Sequence, residues 1–173
     1  MNAVLGGLFS SRINLNLREA HGYSYGASSQ FLFRKTPGPF WIMSGVRTDV
    51  TAPAVQEILK EIDRIRSAPL TPDELAMGKD SIMRALPGYF ETNAEAVSQF
   101  SNIFVYGLDP DYYAKYSSRV GGVTADAALA AAKKYLVPEK TIVVLVGDRA
   151  KIAAPITALK LGAIEARKPD GAK

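Results

Sequence analysis

The feature that most constrains the fold is a pair of strand-like segments separated by a turn rich in proline and glycine. In residues 23–34 the side chains at every second position share one face, as in a strand with one buried face, and residues 40–47 continue as a second strand. Residues 35–39, Lys-Thr-Pro-Gly-Pro, are typical of a turn. Together they predict an antiparallel β-hairpin. The predicted shared face of its first strand consists of Tyr23, Tyr25, Ala27, Ser29, Phe31 and Phe33.

Most of the remaining apolar patterning is helical. Apolar residues recur near the helical period in residues 2–20 and 55–65, and Thr71, followed by Pro72 and Glu74, predicts a capped helix start. Residues 141–146, Thr-Ile-Val-Val-Leu-Val, are β-branched at five of six positions, which predicts a strand buried in a sheet. The order of elements predicts an α+β fold, with helices packed on one face of a mostly antiparallel sheet. Three strands form a small sheet for the number of helices that must pack on it. We therefore expect the complete sheet to contain more strands than this chain supplies.

The sequence reads as one domain over residues 1–163, followed by a tail, residues 164–173, that loses apolar periodicity and is expected to be disordered. No apolar run approaches the roughly 20 residues that span a bilayer. The net charge of +4 comes from alternating charges without a basic block, so nucleic-acid binding is not favoured. The compartment stays open, and bacterial cytoplasm and periplasm are both compatible with the sequence.

The scarcity of metal-binding side chains excludes several kinds of site. With no cysteine in 173 residues, disulfides, iron–sulfur clusters and cysteine zinc sites are excluded, and a single histidine excludes a histidine-rich metal centre. His21 could act as a general base or ligand, but a cation in the last turn of a helix is the favoured interpretation. The pair Gly6-Gly7 lacks a phosphate-loop frame and is better explained by close helix packing.

Arg18 and Tyr25 are the candidate binding residues. They bracket the passage from the first helix to the first strand, which brings them near the same turn. A guanidinium offers a fork of donors and a phenol offers one directional hydroxyl, so together they could hold a peptide carbonyl or stabilise an oxyanion. On the residues alone, a helix-terminal cation beside a half-buried strand aromatic is the favoured interpretation, because both residue types are common in those places.

The first 25 residues resemble a known family. The blocks MNAVLGGLFSSR (residues 1–12), NLRE (16–19) and GYSY (22–25) are similar to the C-terminal half of the insulinase/pitrilysin family of zinc peptidases, which includes the mitochondrial processing peptidase. GVRTD (45–49), LPGYFET (86–92) and VGDR (146–149) continue the resemblance over nearly the whole chain. Arg47, in the first of these later blocks, also matches a recurrent family position, with no role expected beyond packing or pairing near the hairpin.

The resemblance implies that the peptidase consists of two halves with different roles. One half carries the zinc motif H-x-x-E-H, which this chain lacks, and the other contributes an arginine and a tyrosine seven positions apart, as Arg18 and Tyr25 are. It therefore implies that this chain holds no metal or catalytic residue of its own and is not active alone. Arg18 and Tyr25 would bind peptide substrate and assist hydrolysis by a zinc-carrying partner half, either fused or separate.

Two further expectations follow from the resemblance. Some relatives are core proteins of respiratory complexes, so a structural subunit without proteolytic role is the alternative function. Such a half normally begins with a strand that this sequence does not show, so the sheet is expected to lack its first strand. The resulting open edge could pair with another chain, including a second copy.

Overall fold

The structure is a computed structural model that describes residues 1–168 and 171–172. It has the predicted α+β architecture, with helices against one face of an antiparallel sheet. The expected tail falls partly on Pro169, Asp170 and Lys173, which lie outside the described residues; that tail and the single domain 1–163 stay predictions. The α-helices are α1 (Arg12–Asn14), α2 (Thr51–Ser67), α3 (Pro72–Ala85), α4 (Asn93–Tyr106), α5 (Tyr116–Gly121), α6 (Ala125–Tyr135) and α7 (Arg149–Ala158).

The predicted hairpin is present as β1 (Ser24–Phe31) and β2 (Phe40–Val46). The strands pair antiparallel from Phe31 opposite Phe40 to Ser24 opposite Val46. The register is irregular near the start of β1, because Ala27 lies opposite Ser44. From Ser24 to Ala27 β1 therefore takes three steps where β2 takes two, which is a β-bulge. The expected common face of the first strand is therefore wrong at two residues. Tyr25 is exposed because the extra residue interrupts the alternation, and Phe33 is exposed and lies beyond the end of β1.

The single helix predicted for residues 2–20 is wrong, since the structure breaks it in two. A π-helical turn (Ala3–Gly7) is followed by extended backbone at Leu8, and α1 then continues into a second π-helical turn (Leu15–Ala20). Two consecutive glycines weaken the helix at the break. Gly6 is also required for packing, because a Cβ there would lie 2.4 Å from Ser29 Oγ. The close approach is thus between the first helical turn and β1.

The helix starts follow the sequence closely. Thr71 Oγ1 accepts a hydrogen bond from Glu74 N at 3.2 Å, and Glu74 Oε2 accepts one from Thr71 N at 3.0 Å, which is the predicted capping box of α3. The same arrangement joins Thr92 and Glu95 at the start of α4. Each box satisfies backbone donors that the helix itself cannot.

The core lies between the inner face of the hairpin and the helices. The first helical turns, α2 and α6 supply most of it, and side chains of β1 and β2 pack against it. The buried apolar side chains are Val4, Leu5, Ile13, Leu17, Ala52, Ala54, Val55, Ile62, Ile65, Leu70, Ala128, Ala132 and Leu136. The opposite face of the hairpin is exposed. No helix among residues 1–168 has both the length and the apolar character needed to cross a membrane.

The strand predicted at residues 141–146 is wrong. In the described chain the sheet has only β1 and β2, and this run belongs to neither a strand nor a helix. Ile142 and Val146 are 84% and 99% exposed. A β-branched segment becomes a strand only where a neighbouring backbone can complete its hydrogen bonds, and none of the described strands lies beside this one.

Candidate functional site

Arg18 lies in the last helical turn before β1, next to a buried anchor. Leu17 is fully buried, and its carbonyl accepts a hydrogen bond from Tyr23 N at 2.8 Å. Gly22 has φ +61°, a left-handed conformation that suits glycine at the end of a helix, and its N–H donates to Arg18 O at 3.1 Å. This turn fixes the place where Arg18 leaves the helix relative to the start of β1.

A second arginine stabilises the same turn from the hairpin side. Arg47 Nη1 donates to Gly22 O at 2.7 Å, and Arg47 Nε lies 3.3 Å from Asp49 Oδ1. Arg47 thus has the pairing role near the hairpin that the sequence suggested. Its charge is compensated by Asp49, so it supports the turn rather than adding a free cation to the site.

Tyr25 lies within the bulge of β1. Ser24 Oγ accepts a hydrogen bond from Gly26 N at 3.0 Å and from Ser44 Oγ at 2.8 Å, so hydroxyls hold the irregular backbone on both sides of Tyr25. The Tyr25 side chain is 89% exposed, and its hydroxyl has no hydrogen-bond partner in the described part of the chain. Bulges commonly re-aim a side chain beside a binding site, and this one presents a phenol to solvent.

The structure brings Arg18 and Tyr25 together. Arg18 Cζ lies 5.0 Å from the centre of the Tyr25 ring, within the range of a cation–π contact. Arg18 Nε lies 3.1 Å from Glu19 Oε1, while its terminal nitrogens donate to no group among the described residues. The pair therefore offers a phenol hydroxyl and a guanidinium edge, both without protein partners, at one exposed place.

Sequence reasoning missed two residues of this site, Phe9 and Asn14. The Phe9 ring centre lies 4.6 Å from Arg18 Cζ, and the ring is 66% exposed. Asn14 is buried; its Nδ2 donates to Phe9 O at 2.6 Å, and its Oδ1 accepts from Ala27 N at 3.0 Å. One amide thus joins the backbone of Phe9 to β1 just after the bulge. The sequence carries no signal for these contacts, because they depend on the helix break after Gly7.

The described residues do not fit a zinc ion. No group of three or more histidine, cysteine, aspartate or glutamate side chains among them is placed to hold a metal. His21 Nε2 lies 3.8 Å from Glu57 Oε2, and the His21 ring stacks on Tyr23 with centres 4.8 Å apart. The Glu57 carboxylate already accepts hydrogen bonds from Lys60 and Asn16. The hydrogen bond from Lys60 is the main cause that lowers the Glu57 pKa. His21 and Glu57 form a polar contact at the helix end rather than a metal centre.

Comparisons with known proteins agree with this architecture. Residues 1–82, which contain Arg18 and Tyr25, match the family model described as the peptidase M16 inactive domain. The later blocks at residues 86–92 and 146–149 lie outside that match. No curated protein matches the sequence significantly.

Three solved structures share the fold. The peptidase M16 inactive domain from Pseudomonas fluorescens is 25% identical with a TM-score of 0.72, and the match covers 79% of this chain and 32% of that one. A protease from Helicobacter pylori is 18% identical with a TM-score of 0.69, covering 79% and 33%. A candidate zinc protease from Bordetella pertussis Tohama I is 18% identical with a TM-score of 0.62, covering 79% and 75%.

This chain therefore spans about a third of the length of the first two solved chains. The family match falls on the segment with the most specific sequence blocks, and the structural matches extend the likeness beyond it. The insulinase/pitrilysin resemblance is thereby confirmed: residues 1–82 match the peptidase M16 inactive domain, and the chain shares the fold of a solved M16 inactive domain.

Proposed function

We propose that this chain is the non-catalytic, substrate-binding half of a zinc-dependent peptidase, and that it assists peptide hydrolysis by a partner half that holds the zinc. The observation that carries the proposal is the placement of Arg18 beside Tyr25, where the terminal nitrogens of Arg18 and the hydroxyl of Tyr25 have no hydrogen-bond partner among the described residues. The match of residues 1–82 to the peptidase M16 inactive domain supports the non-catalytic role.

The geometry suits recognition of a peptide backbone. An extended peptide presents carbonyl oxygens, and a guanidinium edge beside a phenol offers several donors to one such oxygen. The same donors would stabilise negative charge that develops on the oxygen during hydrolysis. Both residues leave the chain beside well-fixed backbone, Arg18 next to the Gly22 turn and Tyr25 within the bulge, so little reorganisation is needed when substrate binds.

Hydrolysis itself is assigned to the partner. The donor set of the described residues does not fit zinc, and an activated water would have to be supplied by a metal bound elsewhere. We therefore expect no peptidase activity from this chain alone. Activity should appear when it is combined with an M16 half bearing H-x-x-E-H from the same genome, and it should disappear on addition of a chelator.

The test is a fluorogenic-peptide assay of that combination with Arg18→Ala and Tyr25→Phe. Loss of a donor to the reacting carbonyl should lower kcat/KM by about 100-fold. The matched controls are Arg119→Ala and Tyr112→Phe, because Arg119 Cζ lies 5.3 Å from the Tyr112 ring in a similar contact that has no part in the site. Unchanged kinetics in both site variants would contradict the assignment of Arg18 and Tyr25, whereas a wild-type combination without any activity would favour the structural-subunit alternative.

A further inference from the structure

The guanidinium of Arg18 contacts two exposed aromatic rings, and Phe9 is the ring with no role so far. Phe9 is 66% exposed and lies in the non-helical connection between the first helical turn and α1. Its contribution to the core is therefore small. Its distance of 4.6 Å from Arg18 Cζ is shorter than the 5.0 Å between Arg18 and Tyr25.

We infer that Phe9, Arg18 and Tyr25 form one subsite for internal peptide segments, which binds a neutral backbone carbonyl beside an apolar or aromatic side chain. This inference rests on the proposed function, and it adds a substrate class and a third residue. Phe9 acts in two ways, as an apolar contact for the substrate and as a positioning residue for the Arg18 guanidinium.

The charge balance favours a neutral ligand. Glu19 Oε1 lies 3.1 Å from Arg18 Nε and compensates the charge of the guanidinium without occupying its terminal nitrogens. The neighbouring Arg47 is paired with Asp49 and adds no free positive charge. A carboxylate, whether at a peptide C-terminus or on an acidic side chain, would meet Glu19 as well as Arg18. A backbone carbonyl meets no such repulsion.

The exposed rings favour an apolar neighbour of that carbonyl. Phe9 and Tyr25 both present ring surface to solvent beside the guanidinium, and an apolar substrate side chain would remove part of that surface from water. The two rings are held at fixed places in the chain. The buried Asn14 amide bonds to Phe9 O on one side and to Ala27 N, just after the bulge, on the other.

The first test measures peptide binding to the full chain by NMR titration. The probes are N-acetylated, C-amidated alanine pentapeptides whose central residue is phenylalanine, alanine or aspartate, and the phenylalanine peptide with a free C-terminal carboxylate. The blocked phenylalanine peptide should bind most tightly. Phe9→Ala should weaken it by about tenfold, and Phe9→Tyr should restore it. Phe33→Ala is the matched control, because Phe33 is similarly exposed and has no cation–π contact with any described residue.

The second test needs no ligand. In Phe9→Ala the Arg18 side chain should become more mobile, measured by ¹⁵N relaxation of its Nε–H group, while Phe9→Tyr and Phe33→Ala leave it unchanged. The urea midpoint of Phe9→Ala should match that of the wild type, since the ring is largely exposed.

The outcomes separate this inference from the proposed function. If the peptides bind and Arg18→Ala weakens them but Phe9→Ala does not, the subsite inference is overturned and the proposed function stands. Equal or tighter binding of the aspartate or free-carboxylate peptides would overturn the stated substrate class. If the wild type binds none of the peptides, the proposed function fails together with the subsite.

Discussion

Residues 1–82 and the residues after them are packed very differently. Of the described buried apolar side chains, all but Ala128 and Ala132 of α6 and Leu136 directly after it lie in the first region. In the second region, α4 has no buried residue, and the run from Ile142 to Val146 is largely exposed. The first region, with α6 packed against it, encloses its own core, whereas the second exposes apolar surface.

The difference shows where the rigidity of the candidate site originates. Arg18 follows the buried Leu17, and Tyr25 lies in β1, where Ser29 is buried. The family match covers the same region. A site that must hold two side chains in fixed geometry thus lies where packing is complete. We expect substitutions to have large effects in the first region and small effects at matched positions in the second.

The largest difference is expected between two isoleucines. Ile65 is 1% exposed in α2, so Ile65→Ala should lower the free energy of unfolding by about 2–5 kcal/mol, because it removes buried methyl groups and leaves a cavity. Ile142→Ala should change it by less than about 0.5 kcal/mol. Urea unfolding followed by circular dichroism measures both. A comparable loss in Ile142→Ala would mean that residues 141–146 are buried in solution, which would break the comparison.

A second difference is expected between two glycines. A Cβ on Gly6 would lie 2.4 Å from Ser29 Oγ and 2.8 Å from Ser29 N, so Gly6→Ala must displace β1 and should cost about 1–3 kcal/mol. A Cβ on Gly121 would meet no atom within 4 Å, and Gly121→Ala in α5 should be neutral or stabilising by up to about 1 kcal/mol. Thermal unfolding of both variants measures the difference. Equal melting temperatures would show that the first helical turn does not pack closely on β1.

The third difference concerns two capping glutamates and depends on pH. Glu74 accepts hydrogen bonds from Arg12 Nε at 2.6 Å and Nη2 at 2.8 Å, and the Arg12 hydrogen bonds are the main cause that lowers the Glu74 pKa from 4.5 to about 2. Because the Glu74 pKa is lower in the folded chain than in the unfolded chain, ionised Glu74 contributes its full stabilisation above pH 4.5. That contribution is lost as the pH falls from 4.5 towards 2.

Glu74→Gln should therefore cost about 1–3 kcal/mol at pH 7, and the loss should shrink as the pH approaches 2. Glu95→Gln is the matched control, because Glu95 holds the same place in the capping box of α4 without an arginine partner, and glutamine also serves in such a box. Urea unfolding from pH 2 to pH 7 measures both. A pH-independent loss in Glu74→Gln would show that the ion pair does not form.

The sequence predicted those elements whose cause is local. The Pro37-Gly38 turn gave the hairpin, with β2 beginning at Phe40 as expected, and Thr71 caps α3 as its hydroxyl suggested. α7 was not anticipated, since Pro155 lies inside it. Local chemistry fixes turns and caps because the partners are a few residues apart.

The predictions that were wrong depend on contacts between residues that are far apart in the sequence. The break after Gly7 follows from the contact of Gly6 with Ser29, and the bulge that exposes Tyr25 depends on Ser44 of the other strand. For the site, the sequence placed Arg18 and Tyr25 near one turn, and the structure brings them into contact. It could not reveal Phe9, because contacts across a break leave no periodic pattern.

A substitution of Val144 is expected to have the smallest effect on stability. It should instead change the self-association of the chain. Residues 142–146 have exposed apolar side chains and no backbone hydrogen bond to other backbone groups in the described chain, so they resemble an unpaired strand. We expect concentration-dependent self-association through this run. Val144→Lys should reduce it strongly while changing the free energy of unfolding by less than about 0.5 kcal/mol, since 79% of Val144 is exposed.

The measurement is sedimentation equilibrium over a wide concentration series, combined with amide hydrogen exchange. Val105→Lys is the control, because it adds the same charge to the exposed apolar surface of α4, where the helix already satisfies the backbone, and it should leave association unchanged. In the wild type, exchange at residues 142–146 should slow as the concentration rises, because pairing supplies the missing backbone partners. A wild-type chain that stays monomeric at every concentration while these amides are fully protected would show that the run is already paired. The backbone of the second region would then have its hydrogen-bond partners within the chain, as the first region does.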